Sequence, residues 1–226
     1  MPAVVMQTKK TALLRHLAAA GILVVGTYLS ELLHLLEKPL FSLYYYGNGN
    51  AAIYSLTAAV YIFLFLLLSH EGLKKLSGCE VFGKKGRLSL RRRGVLYAMT
   101  VIPVLVVAVC LNYRFKLVLE LGQRLSAMSV LGNATGYLLK AARIFAAVYA
   151  IFLVDAGAEP FLGTQKWLPV GGLFAMVTFG VLEWVFVPSR FSLMYLVLFL
   201  YYGVLAKVAQ KRFAVTYALA LALYIL

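Results

Sequence analysis

"AAIYSLTAAVYIFLFLLLS", residues 51–69, contains no charged side chain and only five hydroxyls. As an α-helix it extends about 28 Å, close to the roughly 30 Å hydrocarbon core of a bilayer. In lipid every backbone N–H and C=O must be satisfied within the protein, and a continuous apolar run does this only as a helix. The stretch has no strict apolar/polar alternation, which excludes a strand of a membrane barrel.

Outward from it, six more runs follow the same rule: 16–36, 94–113, 136–154, 168–187, 191–209 and the short 213–226. The chain of 226 residues is 63% hydrophobic and 13% charged, against about half and a quarter in soluble domains. The expected fold is an all-α, polytopic transmembrane helix bundle. It has about seven crossings in a single membrane domain, 1–226, plus an amphipathic helix near 114–132 that lies in the interface or lines a cavity.

The formal net charge is +14, from 22 Lys and Arg against 8 Asp and Glu. With the N-terminus in the cytoplasm, segments 1–16, 70–93, 155–167 and 207–212 carry fifteen of the 22 cations, and the outer loops carry five. That bias predicts a multi-pass protein of the cell membrane, N-terminus inside and C-terminus outside. The basic loop 69–94 is expected to meet anionic headgroups or an acidic partner. The same bias accounts for the charge without nucleic acid, which is not an expected partner. Cys79 and Cys110 are expected on opposite sides of the membrane and so not to form a disulfide. No signal peptide is expected, because the first apolar run reads as a retained span.

Ionisable residues inside spans are site candidates by default. Glu31 and His34 are spaced i, i+3 on one helix face, as are Lys140 and Arg143. Glu183 stands in "VTFGVLEWVFV" (177–187), where a lone carboxylate needs a partner, and Arg143 is the expected one. No second E-x-x-H accompanies Glu31 and His34, so no metal site is expected, and no cofactor. Nor is there a G-x-S-x-G or a phosphate-binding loop.

The segments "AMVTFGVLEWVF" (175–186) and "FSLMYLVLFLYYGVLAKVAQKRFAVTYALALALYIL" (191–226) resemble the end of the CAAX-protease and bacteriocin-processing family, also called Abi. That resemblance implies an intramembrane glutamic-type protease of about eight helices. Phe179 to Glu183 would occupy the family's F-x-x-x-H, with Glu in place of His, and the last polar pair would fall at Ala220 and Tyr224. The family's E-E-x-x-x-R has no counterpart; Asp155 and Glu159 are the nearest carboxylates. Two carboxylates at such a site would share a proton rather than activate water.

The resemblance therefore implies a degenerate member, a pseudoprotease. The expected function is a non-catalytic scaffold, regulator or partner subunit in association with another membrane protein. One alternative is a small-molecule or ion transporter, or its substrate-binding subunit, with Glu183, Lys140 and Arg143 lining its path; Lys140, Arg143 and Glu31 are the candidate binding residues. The other is an intramembrane hydrolase using Glu183, with Glu159 or His34.

Overall fold

The structure, a computed structural model, describes residues 2–37, 48–82, 89–115, 130–182, 192–210 and 212–225. Among the described residues every regular element is helical. They are α1 (Pro2–Glu37), α2 (Asn48–Ser77), α3 (Leu90–Phe115), α4 (Val130–Ala158), α5 (Val170–Ala175, continued as a π-helix over Met176–Gly180), α6 (Ser192–Val208) and α7 (Phe213–Ile225). A one-turn 3-10 helix, Glu159–Phe161, follows α4.

Over its described residues, each run expected to cross coincides largely with one of these helices. The four long helices all exceed their apolar runs: α1 begins well before residue 16, α2 continues past Ser69 to Ser77, and α3 and α4 extend beyond theirs at both ends. The first third of the expected 69–94 loop is therefore helix. Most of the expected amphipathic helix near 114–132 lies outside the described residues. Among the described residues three helices are long and apolar enough to cross a membrane, over Met6–Ser30, Ser55–Ser77 and Gly136–Phe161. Val170–Gly180, Leu196–Val208 and Phe213–Leu223 are shorter apolar helices.

The helices alternate in direction. The end of α4 meets the start of α1, since a Cβ on Gly157 would lie 2.7 Å from His16 Cβ. His70 near the end of α2 bonds Tyr149 on α4, and the α2 pair Phe63–Phe145 lies further from that end. Phe213 at the start of α7 meets Phe152, while Tyr217 reaches back to the Ala141 carbonyl. α5 and α6 are antiparallel, with Gly172 against Gly203 and Gly180 against Leu196. Arg92 and Met99 on α3 meet Gln210 and Tyr201 in the opposite order. The start of α1, the end of α2, the start of α3, the end of α4 and the α6–α7 turn thus gather at one end. These are the segments that hold most of the Lys and Arg, so this is the basic end.

α4 is the axis. Ala142, Ala146, Ala147 and Ala150 are fully buried on it, and their small side chains let neighbouring helices approach closely. α3 carries Pro103, which has no N–H to give the Met99 carbonyl. The Tyr201 hydroxyl donates to that carbonyl instead. In an apolar surrounding this removes an orphan acceptor that would cost several kcal/mol, roughly, if left bare.

Candidate functional site

The one buried acidic side chain among the described residues is Asp155, on the last turn of α4. Its Oδ1 accepts from the Gly171 N–H at 2.9 Å, and its Oδ2 lies 3.3 Å from Lys207 Nζ. Three helices meet there. α5 begins at Val170 behind Pro169, which offers no side-chain cap. The first N–H groups of a helix need an acceptor and favour negative charge, so the Asp155 carboxylate supplies from α4 the cap that α5 lacks. Lys207 lies in the last turn of α6, where the helix dipole favours a cation. Asp155 is fully buried, and only 13% of the Lys207 side chain is exposed.

The approach of these helices depends on glycine. A Cβ at Gly171 would run into the Ile151 carbonyl, and one at Gly203 into the Gly172 backbone. Gly171 thereby brings its own N–H to Asp155. Buried ions are costly unless paired and hydrogen-bonded; here Oδ1 accepts a hydrogen bond and Oδ2 faces the Lys207 ammonium as an ion pair. The arrangement does structural work: it fixes the relative positions of α4, α5 and α6.

Beyond this junction α5 turns from α-helix to π-helix. The Tyr28 hydroxyl of α1 donates to the Phe179 carbonyl at 3.2 Å, and the two rings lie 5.9 Å apart. A π-turn disturbs the regular hydrogen-bond ladder, and Tyr28 serves a carbonyl within it. Toward the basic end, His70 Nδ1 and the Tyr149 hydroxyl share a 2.9 Å hydrogen bond. Around them Phe82, Phe145, Phe213 and Tyr217 pack ring to ring, with Phe82 and Phe213 at 4.7 Å and edge-on. Phe145, Phe213 and Tyr217 belong to the core, and the partly exposed Phe82 covers them at its edge.

The sequence candidates divide between the two ends. Glu159 is exposed on the 3-10 turn at the basic end. His34 lies five turns along α1 from His16, about 27 Å by helical rise. His34 and Glu159 are therefore not parts of one site. Lys140 and Arg143 are half-buried on the opposite part of α4, with Lys140 Nζ 5.9 Å from the Tyr137 ring centre. Counted from the His16–Gly157 contact, Arg143 and Glu31 fall at about the same height, as do Lys140 and His34. Glu183, and with it the expected pair to Arg143, lies outside the described residues. Among the described residues no three metal-ligating side chains converge.

Sequence reasoning passed over Asp155 and Lys207 by assigning both to cytoplasmic segments. Each was signalled by its neighbours. "AIFLVDAGA" (150–158) continues the helix without a breaker through Asp155, and "GVLAKVA" (203–209) surrounds Lys207 with small and apolar residues.

No protein-family model matches the chain, and no curated protein or solved structure matches it either.

Proposed function

We propose that this chain is a non-catalytic integral membrane protein, a scaffold or partner subunit whose polar groups hold a helix bundle together. The observation that carries this is the state of Asp155. It is fully buried and its two oxygens are engaged by Gly171 and Lys207 of the same chain. A general base must reach a water or substrate proton, and a carboxylate so enclosed is spent on packing. The likeness of 175–226 to the CAAX-protease and bacteriocin-processing family supports a member that has exchanged catalysis for association. In this reading all seven helices cross. The basic end faces the cytoplasm and its anionic headgroups, and the C-terminus is outside.

Tagged protein extracted from its native membrane in mild detergent tests the proposal. A second membrane chain at fixed stoichiometry, retained when Glu159 and Glu183 are both changed to Gln, is the expected result. A cleaved substrate that disappears in that variant overturns it.

A second reading has one observation in its favour, the common height of Glu31 with Arg143 and of His34 with Lys140. Charges gathered at one depth in a membrane are a pattern of transport paths. Saturable, ligand-dependent thermal stabilisation abolished by Arg143→Gln would establish transport in its place.

A further inference from the structure

We infer that an anionic phospholipid docks at the corner formed by the start of α3 and the α6–α7 turn, with its headgroup on Arg91–Arg93 and its acyl chain along α3. This rests on the reading that the basic end lies at a membrane surface.

Three observations converge. First, Arg91, Arg92 and Arg93 are all exposed and occupy the opening turn of α3, which contains no acidic residue. Three cations at the positive end of a helix dipole repel both it and one another. An anion in that place reverses the sign of every one of those terms.

Second, the corner has donors from another element. With its amide oxygen turned inward, Gln210 accepts from Arg92 Nη1 at 2.7 Å, which seats the α6–α7 turn directly beside the arginines. Arg212 lies two residues further on, half-buried. Planar guanidinium groups suit the oxygens of a phosphodiester because they donate in pairs.

Third, what lies next to the cations is apolar and outward-facing. Leu90 is 84% exposed, and Tyr97 (64% exposed), Val101, Ile102 and Leu105 continue the exposed surface along α3. An acidic protein segment would use the arginines and leave this surface bare. A phospholipid uses both, headgroup on the cations and hydrocarbon on the stripe. The basic residues at the start of α1 lie at the same end and supply an internal control of equal charge: Lys9, Lys10 and Arg15.

The test uses the full-length protein in neutral detergent, titrated with phosphatidylglycerol or phosphatidylcholine and followed by thermal unfolding and native mass spectrometry. Three proteins are compared: the unaltered chain, Arg91→Gln/Arg92→Gln/Arg93→Gln, and Lys9→Gln/Lys10→Gln/Arg15→Gln. Phosphatidylglycerol should bind and stabilise the unaltered chain and the α1 variant alike. Its apparent affinity should fall roughly 100-fold in the α3 variant, about fivefold per arginine. Circular dichroism of the α3 variant should remain helical, which separates loss of the lipid from loss of the fold.

Equal response to the two lipids overturns the inference. So does an equal loss in both variants, which would mean diffuse attraction to the whole end. Stabilisation by inorganic phosphate or glycerol phosphate equal to that by lipid would assign the arginines to a soluble anion and overturn the lipid. Capture of an acidic peptide in preference to phosphatidylglycerol would do the same. Partner association in the preceding section is scored separately, so either proposal can fail without the other.

Discussion

α2 and α4 are alike in composition and opposite in position. Both contain a stretch long and apolar enough to cross a membrane, with nearly equal hydropathy, yet 67% of the α4 window is buried inside the protein against 28% of the α2 window. One difference is where the two helices place their small and large residues. α2 presents Leu56, Val60, Leu64, Leu67 and Leu68 outward, whereas α4 turns alanines to its neighbours on several sides. Lipid and protein interior are equally apolar, so hydropathy cannot rank helices from centre to rim. Small residues can, because they decide how closely another backbone approaches.

The sharpest break in that comparison comes from the polar end of α4. Lys207→Met should leave Asp155 buried without its cation and cost about 3–5 kcal/mol. It should be seen as a large fall in thermal midpoint in detergent. Gly203→Val comes next. Its added carbons meet the Gly172 backbone, which has no flexible end to move aside, and about 1–3 kcal/mol or more is expected.

Two tyrosines sharpen the account further. Tyr201→Phe bares the Met99 carbonyl that Pro103 cannot serve, for a loss of about 1–3 kcal/mol. Tyr217→Phe removes a hydroxyl from the Ala141 carbonyl, whose place in the α4 ladder has no proline opposite it. It should cost less, about 0.5–1.5 kcal/mol. Equal losses in the two would remove the explanation given for Tyr201. At the small end, Leu64→Ala on the outward face of α2 should change stability by no more than about 0.5 kcal/mol. A loss of 2 kcal/mol there, measured by the same unfolding assay, would mean that α2 has a protein partner on that face.

The helical class and the helix positions were legible in the sequence because length and apolarity are local properties. The clustering of cations at one end was legible for a related reason: alternating helices return every second loop to the same side. The buried junction was not. Asp155 and Lys207 are 52 positions apart, and neither lies in the middle of an apolar run. Helix ends look polar in sequence whether they reach water or another helix. Only the meeting of α5 with α4 through Gly171 turns Asp155 from a loop carboxylate into a buried cap. Glu31, His34, Lys140 and Arg143 drew attention because they interrupt apolar runs, and the structure sets them at the opposite end of the bundle from that junction.

The most direct test is a double-mutant cycle between Asp155→Leu and Lys207→Met, followed by thermal unfolding in detergent. The account predicts that each single change is strongly destabilising. The double change should recover most of the loss, because neither charge is then left buried alone, and it should keep the proposed association with a second membrane chain. Single variants as stable as the unaltered protein would contradict the claim that this pair joins α4, α5 and α6. A double variant that folds fully yet loses a catalytic or transport activity would contradict the claim that the pair serves structure alone.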